Sequence, residues 1–254
     1  MFFSATRFFH LLVCIASLAQ DTVLASPIKQ QDDSLDTRAA KGFGNGMWLR
    51  ILPLGASITY GLTSNDGNGY RKFLRDMIVS YGNDVNMVGS RRNGTMEDND
   101  VEGWPGDTID QVHTKANVAL PKYKPNLVLL NAGTNDCSGK VDIDHAGTRM
   151  SSLLDDVYKG SPRATVILST LLYKTVAAAQ KAKGRRLVLV DMQPPAGPTT
   201  GQLVDGTHPT EAGYSKMATI WFNGIKAADQ AGFLQTKEAI PGNANGVPDR
   251  GIYG

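Results

Sequence analysis

Residues 50–61 read R-I-L-P-L-G-A-S-I-T-Y-G. The apolar run at 51–54 ends at Gly55 and delivers Ser57 into a turn, the way a buried strand of a parallel sheet presents a side chain at its carboxyl end. Ser57 is therefore a candidate nucleophile, although Gly-x-Ser after an apolar run is also common in turns that carry no chemistry. A serine hydroxyl attacks only when a neighbouring base takes its proton, so this reading requires a histidine and an orienting acid elsewhere in the chain. Both stand in D-G-T-H at 205–208.

Outward from this stretch, apolar runs alternate with segments of helical period. The runs lie at 49–54, 85–89, 127–131, 165–169 and 187–190, each rich in Val, Ile and Leu. Amphipathic stretches lie at 70–81, 108–119, 143–158, 175–183 and 210–231. Strand and helix in repeated alternation give an α/β fold with a five-stranded parallel sheet and helices on both faces, a three-layer α/β/α arrangement. In such a sheet, ligands bind beyond the carboxyl ends of the strands, and each motif below falls at one of those ends.

After the second run come a polar stretch, 90–102, and then G-W-P-G-D-T at 103–108. Gly106 precedes a helix, so its backbone N–H can face a cleft with no side chain in the way, or the glycine can serve chain reversal alone. Trp104 is either a wall of a substrate site or a core aromatic. The third run ends in N-A-G-T-N-D at 131–136. Gly133 permits a tight turn, and the Asn135 amide is a neutral donor suited to an oxygen that becomes negative only in a transition state. The same asparagine could be a turn or cap residue, and Asp136 is read as bracing the turn. Asp205 and His208 are three residues apart, so one turn brings the carboxylate to the imidazole Nδ1 and leaves Nε2 for Ser57. His113 and His145 fall in or at the start of helical stretches and read as surface or partly buried residues.

The chain has 254 residues, with 26 basic and 24 acidic side chains and a net charge of +2. No basic block of the kind that binds nucleic acid is present; K-A-K-G-R-R at 181–186 is the densest. Residues 1–25 carry Arg7, an apolar stretch at 8–19 and a small-residue site ending at Ala25, the layout of a secretory signal peptide. Its apolar part is too short to span a bilayer. Residues 26–45 read as a flexible leader, 46–236 as one catalytic domain and 237–254 as a tail. Cys14 falls in the signal, which leaves Cys137 without an intrachain partner and read as a small core residue. Asn93-Gly94-Thr95 is a sequon, which makes Asn93 a candidate glycosylation site. No His/Cys cluster has metal-ligand spacing, and neither metal nor cofactor is expected.

Gly-x-Ser first, a glycine loop second, Gly-x-Asn-Asp third and Asp-x-x-His last, in that order, resemble the SGNH (GDSL-type) hydrolases over about residues 48–234. The resemblance implies a flavodoxin-like fold with Ser57 as nucleophile, His208 as base and Asp205 as its orienting acid. It also implies an oxyanion hole made of Gly106, Asn135 and the Ser57 N–H. L-P-L-G-A-S-I-T-Y-G, G-Y-R at 69–71, E-G-W-P-G and D-G-T-H-P-T look most like secreted carbohydrate esterases of the acetyl-xylan-esterase type. The implied partner is an acetylated polysaccharide or oligosaccharide met outside the cell; Trp104 is read as a candidate wall for it, and a monomer is favoured. Two positions depart from the family pattern. Ala56 stands where the family name implies Asp, and the interval 172–187 is shorter than such relatives usually have after the fourth strand.

Overall fold

The structure, a computed structural model, describes residues 42–170 and 174–240. Its strands are β1 (Leu49–Gly55), β2 (Val85–Met87), β3 (Arg91–Arg92), β4 (Asp100–Gly103), β5 (Leu127–Asn131), β6 (Thr165–Ser169) and β7 (Leu187–Val190). Its α-helices are α1 (Ser57–Tyr60), α2 (Tyr70–Ser80), α3 (Ile109–Tyr123), α4 (Thr134–Gly139), α5 (Ala146–Gly160), α6 (Lys174–Ala182) and α7 (Glu211–Gln230). The signal-like segment, Cys14 and most of the leader lie outside the described residues.

Every residue of β1, β5 and β6 is buried, because helices cover both faces of the sheet. Alternate residues of one strand serve opposite layers. Ile51, Leu127 and Leu129 pack with α2 and α7, whereas Leu52, Leu54, Val128 and Leu130 pack with α3, α5 and α6. The three-layer architecture is therefore present as expected.

The sheet has two strands beyond the expected five. β1 lies inside it, with β5, β6 and β7 following in parallel on one side. On the other side β2 pairs with the first half of β1, and β4 pairs with its last two residues. The antiparallel β3 closes that edge against β4. β3 and β4 were hidden in the polar stretch because they are short and rich in charge, with Val101 the only aliphatic among their six residues. The connection β1–α2–β2 leaves to one side and β4–α3–β5 to the other, so the order reverses at β1 and a crevice opens at its carboxyl end.

Both proposed boundaries move outward. Phe43, placed by the sequence reading in a flexible leader, is fully buried against Tyr81 and Phe222, with ring centroids 4.6 and 5.1 Å away. Its N–H and C=O both bond the Asn83 side chain. At the other end, the Glu238 carbonyl accepts from Arg50 Nη1 at 3.0 Å, and Lys237 lies over the Trp48 ring. Cys137 is also not where the sequence reading put it. It is exposed on α4, whose buried position is taken by the preceding residue, Asp136.

Candidate active site

Ser57 opens α1 immediately beyond β1 and is 7% exposed. The turn before it needs glycine at 55: a Cβ there would overlap the Asn131 carbonyl oxygen and Thr59 Oγ1. Ala56, the departure from the family pattern, occupies the N-cap position with no side-chain cap bond, and its carbonyl accepts from the Tyr60 N–H at 2.9 Å. The Ser57 N–H belongs to the first turn of a helix, where backbone donors have no intrahelical acceptor.

His208 and Asp205 reach this serine because the loop carrying them is pinned twice. Leu203 bridges Pro209 in antiparallel fashion, and the Val204 N–H donates to the His208 carbonyl at 2.8 Å, so 203–209 close on themselves. The loop is then tied to the residues after α1. Thr63 Oγ1 donates to the Pro209 carbonyl at 2.9 Å, and the Tyr214 hydroxyl donates to the Leu62 carbonyl at 2.6 Å. Thr210 caps α7 by accepting from the Gly213 N–H.

Within the loop, Asp205 Oδ2 lies 2.7 Å from His208 Nδ1, and His208 Nε2 lies 2.9 Å from Ser57 Oγ. A carboxylate at Nδ1 fixes the proton there, which leaves Nε2 as the acceptor for the serine hydroxyl. Asp205 Oδ1 also accepts the backbone N–H groups of Thr207 and His208, at 3.0 and 2.8 Å. The His208 N–H, the His208 ring and the Thr207 N–H, in that order, hold the Asp205 carboxyl down at about 2 although it is solvent-exposed. The acid therefore stays ionised and aimed at the imidazole. Asp205, His208 and Ser57 are brought together as the sequence reading required.

Two further turns flank the serine at the same height. Gly55 is in register with Gly103 of β4 on one side and with Asn131 of β5 on the other. Gly106 has φ +88°, and no heavy atom lies within 4 Å of where a Cβ would be. No hydrogen bond among the described residues takes up its N–H. Asn135 Nδ2 donates one hydrogen to the Asp107 carbonyl at 2.8 Å, which leaves the second for an incoming oxygen. Asp136 does more than brace its own turn. It is fully buried, accepts the Ile109 N–H at 3.0 Å and pairs with Arg149 at 2.7 Å, so it joins the Asn135 turn to the start of α3 and to α5.

Trp104 is neither a bare wall nor a core residue. Its ring is half-buried, its Nε1 donates to Glu102 Oε1 at 2.7 Å, and the cations of Arg91 and Lys115 lie 4.7 and 4.2 Å from the ring centroid. The Asn93 expectation requires correction. Both hydrogens of its Nδ2 are committed, to the carbonyls of Tyr60 and Gly67 at 2.8 Å each, so the amide is part of the fold and is not presented as a glycan acceptor. His113 and His145 pair with Asp156 and Asp142, away from Ser57.

The sequence reading quoted Arg71 only within G-Y-R at 69–71 and gave it no role. This fully buried guanidinium donates to the carbonyls of Asn99, Tyr60, Gly67 and Asn93, at 2.8–3.1 Å, and ties the α1–α2 connection to the β3–β4 loop beside the site. A basic residue two positions beyond a glycine at a helix start carries no signal of that role by itself. On the β6 and β7 side, a cavity of about 240 Å³ adjoins Gly206 and Thr207 and has Ile58, Met192, Pro194, Leu203 and Met217 among its walls. Among the described residues, no group of three or more His, Cys, Asp or Glu is arranged to hold a metal ion.

Residues 54–216 match the family described as GDSL-like Lipase/Acylhydrolase. A multidomain esterase of Ruminococcus flavefaciens is 28% identical over 256 aligned residues, which cover 81% of this chain and 32% of that protein. The chain thus spans about a third of the length of that curated relative. The family 3 carbohydrate esterase of Clostridium thermocellum superposes with a TM-score of 0.66 at 25% identity, covering 72% of this chain and 98% of the other. A carbohydrate esterase family 3 structure from Talaromyces cellulolyticus gives a TM-score of 0.59 at 22% identity, with 72% and 99% covered, a likeness of fold alone.

Proposed function

The chain belongs to the GDSL-like Lipase/Acylhydrolase family, and on that premise we propose that it is a secreted serine esterase releasing a small acyl group, acetyl first, from carbohydrate. The observation that carries this reading is the hydrogen-bonded relay from Asp205 through His208 to Ser57, set between two turns with free donors. Ser57 Oγ attacks the ester carbonyl while His208 Nε2 takes its proton. The carbonyl oxygen gains the negative charge and is met by the N–H groups of Ser57 and Gly106 and by the second Asn135 hydrogen. The C–O bond to the alcohol then breaks, and His208 returns the proton to the departing alcohol oxygen. Water attacks the acyl-serine by the same route, giving the free acid and restoring Ser57.

Carbohydrate as the alcohol is supported by the likeness to the Clostridium thermocellum family 3 carbohydrate esterase and by the polar rim at 63–68 and 90–100. Secretion is supported by the signal-like residues 1–25. The test is acetate release from acetylated xylan and p-nitrophenyl acetate by the wild type and Ser57→Ala. Release from the polymer that vanishes in the variant is the expected result; a folded wild type that releases none sinks the reading and leaves a binding module.

One observation favours a second reading. The cavity beside Thr207 exceeds the about 150 Å³ that accommodates benzene, and its walls are mostly apolar. A longer or aromatic acyl group fits it, as in a lipase-type acylhydrolase. A steep fall in kcat/KM from acetyl to octanoyl esters supports the carbohydrate reading; a flat or rising series supports the second.

A further inference from the structure

Beside Trp104, β4 and α3 bound a recess of about 150 Å³. Trp104 contributes aromatic surface, Tyr123 lines the recess although only 2% exposed, and Val118 leaves an apolar side chain 68% exposed at its edge. Lys115 and Lys122 both line it. Lys115 Nζ stands 4.2 Å from the indole centroid and Lys122 Nζ 5.0 Å from the Tyr123 ring. Arg91 adds a third cation, 4.7 Å from the indole and 4.4 Å from the Tyr60 ring, and is anchored by a bond to the Gly103 carbonyl.

The charges of opposite sign nearby do not answer these lysines. Glu102 is buried, with its oxygens taken by the Ser90 N–H and hydroxyl and by Trp104 Nε1. Asp107 lies near Lys115 and Arg91 but forms an ion pair with neither. Neither Lys115 nor Lys122 has a carboxylate within ion-pair distance among the described residues. An ammonium held over an aromatic face is partly stripped of water, which strengthens its attraction for an anion.

We propose that this recess is a subsite for an acidic sugar: a uronate unit of the carbohydrate, its ring on the apolar wall and its carboxylate on Lys115 and Lys122. The inference rests on the carbohydrate-esterase reading. The volume suits a single six-membered ring. The subsite is wired directly to the reacting centre, because the Trp104 N–H donates to the Gly55 carbonyl at 3.0 Å and Trp104 stands two residues ahead of Gly106.

The experiment compares xylo-oligosaccharides with and without a glucuronate branch, each prepared acetylated and deacetylated. Calorimetry on the deacetylated pair measures binding, and acetate release from the acetylated pair measures turnover. The wild type is expected to prefer the acidic ligand about fivefold to tenfold, from two solvent-accessible charge pairs, and 0.5 M NaCl should erase most of that preference. In Lys115→Gln/Lys122→Gln the acidic-to-neutral ratio should fall to about one, and in Lys226→Gln, a charge change on α7, the ratio should stay. Equal affinity of the wild type for both ligands, or a ratio untouched by the double variant, overturns the subsite. A preference that persists while neither acetylated ligand is turned over keeps the subsite and removes the esterase reading instead.

Discussion

His208 Nε2 lies 2.9 Å from Ser57 Oγ across 151 positions of chain. The contact rests on the side-chain ties between the segment after α1 and the start of α7, made by Thr63 and Tyr214. Tyr214→Phe removes the hydroxyl bond to the Leu62 carbonyl while keeping the buried ring. We expect a loss of about 1 kcal/mol in stability and a lower kcat with little change in KM, measured by urea unfolding and steady-state kinetics. An unchanged kcat would show that the His208 loop holds its place without this tie.

Ser57→Ala should lower kcat by about 10⁴-fold or more, because the nucleophile and its base act as a unit. Burst kinetics with p-nitrophenyl acetate check it, and the wild-type burst should be absent from the variant. Full activity in the variant would transfer the nucleophile elsewhere.

In the proposed mechanism Asn135→Ala removes one oxyanion donor, and it frees the Asp107 carbonyl from its partner. A fall of about 10²- to 10³-fold in kcat is expected, with the substrate still bound. A rise in KM alone would make the amide a turn residue.

Asp205 ties pH to stability. Its carboxyl is held at about 2 against an ordinary 3.8, chiefly by the His208 N–H. A depressed carboxylate contributes stability that is fully present above the unfolded value and is lost as pH falls through the folded one. The difference in urea midpoint between wild type and Asp205→Asn should therefore be constant above about pH 5 and shrink between about pH 4 and 2. A difference that grows on acidification would contradict the assignment.

Much of this was legible in the sequence, and for a definite reason. Runs such as 127–131 and 165–169 are apolar throughout because both faces of a parallel strand are buried, and they ended where the strands end. Ser57, Gly106, Asn135, Asp205 and His208 could be read because each sits in a turn whose chemistry is local. What stayed hidden depends on partners distant in sequence. β4 exists because Glu102 and Gly103 pair with β1 and the Glu102 carboxylate accepts the Ser90 N–H, not because its residues favour a strand. Asn93 matches a sequon, yet its amide is claimed by Tyr60 and Gly67. Arg71 and the cation-ringed Trp104 are likewise defined by what converges on them.

Four carbonyls from two connections, α1–α2 and β3–β4, close on the single guanidinium of Arg71. That side of the mouth is consequently a fixed rim and not a flap: opening it would strand a buried cation and its acceptors together. The proposed esterase therefore has, on that side and among the described residues, no cover to be lifted by an oil–water boundary. Its rate should follow substrate concentration smoothly through the point at which longer esters begin to aggregate, with no upward break.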